Sequence, residues 1–163
     1  MNGKGQLLLY LDFDGTLHHH EVWFSKTIGP YLRAPDEYRL FQHAELLAQF
    51  LEPYPTVRII LSTTWVQRFG RAKAAKQLLP SLRARVVGAC SSEMRGFQEA
   101  PRGIKVWSDV RRRKPLNWLA LDDSDEGWLP EIRHHLVLTH RTEGLGEPSA
   151  QREFKLKLYG MCK

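Results

Sequence analysis

Residues Leu7 to Leu17 read LLLYLDFDGTL, and no other stretch constrains the fold as tightly. An unbroken apolar run that stops at a turn signal is the pattern of a strand buried on both faces of a parallel sheet. Open α/β sheets bind their ligands at the carboxyl ends of such strands, which is where Asp12 and Asp14 stand. At i and i+2 on extended backbone the two carboxylates project to the same side. Their repulsion there is costly unless a cation or a shared proton offsets it, and oxygen ligands suit a hard cation such as Mg2+. Gly15 fits the tight turn by which the backbone leaves the strand. With each residue type at roughly 5–7%, D-x-D-G-T arises by chance on the order of once in a thousand chains of this size. A buried strand followed by a plain Asx turn is the alternative.

A second acidic pair tests the first. Trp118 to Leu121 is another short apolar stretch, and it ends on Asp122 and Asp123 within LALDDSDEGW. One strand end supplies too few ligands for octahedral Mg2+, whereas two adjacent ends, with waters and a substrate phosphate, supply enough. An EF-hand starting at Asp122 fails, because its twelfth position is Arg133 where a bidentate Glu is required. Between the two pairs, Thr56 to Trp65 reads TVRIILSTTW, a β-branched apolar run that ends in three hydroxyl residues. Ser62, Thr63 and Thr64 are therefore candidates to hydrogen-bond a ligand or to cap the helix that starts near Trp65, and Thr64 suits the cap.

These segments resemble the motifs of the haloacid dehalogenase (HAD) superfamily, whose phosphatases carry an apolar strand followed by D-x-D-G-T or D-x-D-G-V. The resemblance implies that Asp12 is the nucleophile that attacks phosphorus, and that Asp14 is the acid that protonates the leaving oxygen and later activates water. It makes Ser62 or Thr63, Thr63 by preference, the hydroxyl that binds the transferring phosphoryl group. It also implies a metal held by Asp12, a backbone carbonyl near Asp14, and Asp122 or Asp123. The family's neutralising cation should lie near the start of the helix before the Trp118 strand, within PRGIKVWSDVRRRK, where Lys105 is the first choice and Arg102 the second. An aspartyl phosphate is a mixed anhydride that water can cleave, so one difficult step becomes two easier ones. Asp12 must then be ionised while Asp14 is protonated, which different surroundings for the two carboxyls can achieve.

Pattern reading gives strands over Leu7–Asp12, Thr56–Leu61, Arg85–Gly88, Asn117–Leu121 and His135–Thr139. Helices are expected near Asp36–Leu51, Val66–Leu79, Arg102–Arg113 and Pro148–Tyr159. Alternating strands and helices argue for a three-layer α/β/α, Rossmann-like fold with a parallel sheet, as one domain over residues 1–163. Superfamily members that act on small metabolites usually carry an inserted cap domain. Here His18 to Pro35 has room only for a small flap, and Ser81 to Pro101 leaves little room for a folded cap. The expectation is a capless enzyme, whose open site the resemblance suits to a phosphorylated macromolecule, a nucleic-acid end or nucleotide, or a small molecule enclosed by a partner subunit. Over most of its length the chain resembles the compact HAD module of Swiss Army Knife RNA repair proteins.

At 163 residues the chain can bury a core without staples. Its two cysteines, Cys90 and Cys162, form no metal-like cluster, so no disulfide is expected to hold the fold. A formal charge of +6 is compatible with a polyanionic partner. The run Arg111, Arg112, Arg113 and Lys114 either complements a helix C-terminus or contacts a phosphate backbone. His18, His19 and His20 read as polar residues lining the flap, a transition-metal site being their other use. No G-x-S-x-G elbow and no G-x-x-x-x-G-K-[ST] loop occurs, which removes serine hydrolases and P-loop NTPases. No signal-peptide pattern opens the sequence and no apolar span reaches about 18 residues, so a cytoplasmic protein without membrane contact is expected. Two functions are consistent with these residues: a Mg2+-dependent phosphomonoesterase, or a HAD-shaped module without turnover, recruited to nucleic acid or protein.

Overall fold

A computed structural model describes residues 1–90 and 99–163. Five parallel strands form its sheet: β1 (Leu7–Leu11), β4 (Val57–Leu61), β5 (Val86–Ala89), β6 (Asn117–Asp122) and β7 (Leu136–Leu138), in the order β5-β4-β1-β6-β7. The central strand β1 has Leu8, Leu9, Tyr10 and Leu11 fully buried. Its side chains alternate between the two faces, so Leu9 and Leu11 join one core cluster while Leu8 and Tyr10 join another.

The first cluster is covered by α1 (Ala44–Leu51), α2 (Trp65–Phe69), α3 (Arg71–Lys76), α4 (Pro80–Arg83) and α6 (Pro148–Met161). The second is covered by α5 (Arg102–Arg113) and the 3-10 turn Pro130–His135. The molecule is thus the three-layer α/β/α arrangement that the strand pattern called for. Between β1 and α1 the chain forms only an antiparallel hairpin, β2 (Val22–Ser25) and β3 (Gly29–Leu32). No large cap covers the sheet among the described residues. In the 81–101 segment, where little room for a cap was expected, residues 91–98 lie outside them.

Two expected helices are shorter or broken. The one expected over Asp36–Leu51 begins only at Ala44, because Phe41 adopts a left-handed φ of 57° that a helix cannot contain. The one expected over Val66–Leu79 is divided into α2 and α3 at Gly70, whose φ is 83°. The basic run after Val110 is divided in use as well. Arg113, the last residue of α5, is buried, and its Nε donates to Asp109 Oδ2 at 2.6 Å while its guanidinium also reaches the carbonyls of Asn2 and Ala89. Tyr10 donates its hydroxyl to the same carboxylate, and Arg112 pairs with the other oxygen. No helix among the described residues is long and apolar enough to cross a membrane.

Candidate active site

Register brings the candidate residues together. Leu11 pairs with Leu61 on one side and with Leu121 on the other, so Asp12, Ser62 and Asp122 emerge at one level from three adjacent strands. The ladder continues for one step, with Asp12 N–H donating to the Leu121 carbonyl and Ser62 N–H to the Leu11 carbonyl. Asp12, Asp122, Ser62 and Thr63 are all buried.

The carboxylates of Asp12, Asp122 and Asp123 offer oxygens within 4.8 Å of one another. Burial pushes the carboxyls of Asp12 and Asp122 above their ordinary range, and the cation of Arg102 is not enough to bring them back. For Asp123, burial first and then Asp12 beside it push the pKa up to about 7. Three crowded, desolvated carboxylates are stabilised by a cation, and an all-oxygen donor set fits a hard divalent ion. The side chain of Asp14 lies outside this group and turns to other partners.

Arg102 opens α5, and its Nη1 lies 2.9 Å from Asp12 Oδ1 and 2.9 Å from Asp122 Oδ2. Burial works against its charge, but Asp12 and Asp122 outweigh burial and raise its pKa. The helix start is pinned by Gly103, whose N–H donates to the Glu126 carbonyl. A Cβ on Gly103 would meet the backbone of Gly127 and Trp128 at 2.5 Å, so α5 begins directly against the loop that follows β6. Lys105, the first choice from sequence, lies three residues further along α5. Burial and then the nearby Arg102 charge lower its pKa, which puts it within electrostatic reach of the same site.

Thr63 Oγ1 accepts the N–H of Trp65 at 3.2 Å, which leaves the hydroxyl's own hydrogen for a ligand. Thr64 stands at the N-cap of α2 but makes no side-chain cap hydrogen bond, contrary to the role expected of it. The N–H groups that such a cap would take, those of Val66 and Gln67, donate to the backbone carbonyls of Thr63 and Thr64.

Asp14 is partly exposed and, among the described residues, hydrogen-bonded on a single oxygen. Its Oδ1 accepts from Trp65 Nε1 at 2.8 Å and lies 2.8 Å from His18 Nε2. His18 therefore belongs with the site and not with the flap lining, unlike what the three-histidine run suggested. It is fully buried. His19 instead accepts the Glu21 N–H and stacks on His20, and no transition-metal group forms from the three among the described residues. The sequence offered no local sign of the His18 contact beyond its i,i+4 spacing from Asp14.

A family model described as the HAD domain in Swiss Army Knife RNA repair proteins matches residues 8–150. Comparison with curated proteins and with solved structures returned no match.

Proposed function

Since this chain belongs to the family of HAD domains in Swiss Army Knife RNA repair proteins, we propose that it is a Mg2+-dependent phosphomonoesterase of the cytoplasm. It works as one domain on phosphorylated nucleic-acid ends or nucleotides. The observation that carries this reading is the pairing of two carboxylates in different company. Asp12 is buried against Arg102 and Asp122, while Asp14 is partly exposed and held by neutral donors.

Asp12 attacks phosphorus, and a new bond from its carboxylate oxygen forms as the bond to the leaving oxygen breaks. Asp14 delivers its proton to that leaving oxygen. Asp14 then takes a proton from water as the water attacks the phosphoryl group on Asp12, releasing inorganic phosphate and restoring the carboxylate. Arg102 offsets the charge of Asp12 and the phosphate, with Lys105 a second cation on the same helix. Thr63 or Ser62 donates a hydroxyl hydrogen to a phosphoryl oxygen. Asp12, Asp122 and Asp123, with a backbone carbonyl near Asp14, would hold Mg2+, which would supply further charge neutralisation. The hairpin in place of a large cap supports substrates too bulky for an enclosed site.

The test is phosphate release from 3′- and 5′-phosphorylated RNA and DNA oligonucleotides and from small phosphate esters, with Mg2+ and with excess chelator. Turnover that needs Mg2+ and disappears in Asp12→Asn is expected. Full activity in chelator, or in Asp12→Asn, would overturn the reading, and oligonucleotide binding without turnover would favour a recruitment module.

A further inference from the structure

His18 has no exposed surface, yet its ring spans two groups that matter to the reaction. Phe41 donates its backbone N–H to His18 Nδ1 at 3.0 Å. An accepting Nδ1 places the ring's hydrogen on Nε2, so Nε2–H donates to Asp14 Oδ1 at 2.8 Å. Trp65 Nε1–H donates to the same oxygen, also at 2.8 Å. Two N–H groups therefore converge on Oδ1, and Oδ2 is left as the oxygen for a transferable proton.

The surroundings hold both donors rigidly. Phe41 packs edge-on against His18, Phe13 and Trp65, with ring centroids 4.8, 5.1 and 5.3 Å apart. Phe24 of the hairpin covers Trp65 from a further side at 5.8 Å. A bulky residue at φ 57° is an outlier. Strain of this kind persists where the surroundings over-determine it, and here it aims the N–H that sets the His18 tautomer. His18 is sealed from solvent while the Asp14 side chain is 27% exposed, so His18 can act on a substrate only through Asp14.

We propose that His18 and Trp65 are positioning residues that clamp Asp14 by Oδ1 and present Oδ2 to the leaving group. This rests on the phosphatase reading above, in which Asp14 is the acid and base. The clamp serves proton delivery, so it matters in proportion to the leaving group's need for a proton. Removing it costs a poor leaving group more than a good one, whereas a merely structural role costs both alike.

The experiment compares kcat and KM for p-nitrophenyl phosphate and an alkyl phosphate in wild type, His18→Leu, His18→Gln, Trp65→Phe and Asp14→Asn. His18→Leu and Trp65→Phe are expected to lose on the order of tenfold more kcat/KM on the alkyl ester than on the nitrophenyl ester, because kcat/KM reads phosphoryl transfer to Asp12 and not the hydrolysis step both esters share; this is a share of the ~10²–10⁴ that a positioned proton donor contributes. His18→Gln, whose amide can still donate to Asp14, should recover part of the differential loss, and His18→Leu added to Asp14→Asn should add none. Nitrogen NMR of the folded wild type should find the His18 hydrogen on Nε2, which keeps the test independent of how the variants fold. Wild-type turnover with equal losses of kcat/KM on both esters, or a hydrogen on Nδ1, overturns this assignment alone. Wild-type protein inert toward both esters overturns it together with the phosphatase reading.

Discussion

A Cβ on Gly15 would fall on the carboxylate of Asp123. Gly15 has a φ of 75°, so the turn after β1 is held by two demands, a left-handed backbone and the room that the acid after β6 occupies. The two acidic motifs are thereby fitted to each other at van der Waals contact. Gly15→Ala should lose ~1–2 kcal/mol from the backbone alone, with more from the displaced Asp123. Mg2+ affinity should fall with it. Thermal melting and calorimetric Mg2+ titration would check both, and wild-type values in the variant would contradict the fit.

The crowded carboxylates set a pH dependence. Asp123 is pushed up to about 7, and Asp12 and Asp122 are raised too. An acid whose pKa is higher in the folded state stabilises the fold below its unfolded value and loses that contribution as pH rises through the folded one. Without metal, stability from this cluster should therefore decline from about pH 4 to above pH 7. Asp123→Asn should flatten that decline in urea unfolding followed in chelator. Mg2+ should oppose it, with affinity rising across the same interval because binding displaces protons. A decline of equal steepness in Asp123→Asn would contradict the assignment.

Arg102 and Lys105 separate in stability as well as activity. Removing Arg102 leaves buried Asp12 and Asp122 without their cation, a change on the order of 3–5 kcal/mol when one partner of a buried pair is lost. Arg102→Ala should therefore melt well below wild type in chelator and recover much of the difference in Mg2+. Lys105→Ala should melt close to wild type. Melting curves with and without Mg2+ decide it; equal effects of the two substitutions would show that the bridge seen at Arg102 carries no special weight.

Much of this architecture could be read along the chain because its signals are local. Each of LLLYL, VRIIL and WLAL is apolar enough to be buried on both faces, and each run stops where its polar residues begin. The sheet order was not needed to find Asp12 or Asp122, since the strand ends gather them. Telling the placement of Arg102 from that of Lys105 needed the packing of α5. Both sit at the start of one helix, and what aims Arg102 inward is the contact of Gly103 with the Gly127–Trp128 backbone. His18 and Phe41 were further out of reach. Phe41 meets His18 across 23 residues, and its left-handed φ interrupts a stretch that otherwise reads as helical. Thr64 failed as a cap because its backbone is already helical and the N–H groups of Val66 and Gln67, which its hydroxyl would take, donate to the carbonyls of Thr63 and Thr64.

The basic run at the end of α5 should divide in function as it does in structure. Arg113→Ala strips a buried cation from Asp109 and should cost about 3–5 kcal/mol. Lys114 sits at the helix end with φ 53°, so Lys114→Gly should relieve left-handed strain and raise stability by up to ~1 kcal/mol. Arg111→Ala and Lys114→Ala together should leave p-nitrophenyl phosphate hydrolysis near wild type and reduce the salt dependence of oligonucleotide binding. Denaturant unfolding and binding at several salt concentrations check the two halves; an unchanged salt slope would remove this surface from the nucleic-acid reading.

The most direct test is to catch the phosphoryl group on Asp12. Asp14→Asn still permits attack on p-nitrophenyl phosphate, which needs little help in leaving, but lacks the base that activates water for the second step. Rapid acid quench of that variant in Mg2+, followed by mass spectrometry of the peptide containing Asp12, should find one hydroxylamine-labile phosphoryl group on the carboxylate. The group should be absent in the Asp12→Asn, Asp14→Asn double variant. Nitrophenol release without any covalent phosphate at Asp12, or a phosphoryl group on another residue, would contradict nucleophilic catalysis by Asp12.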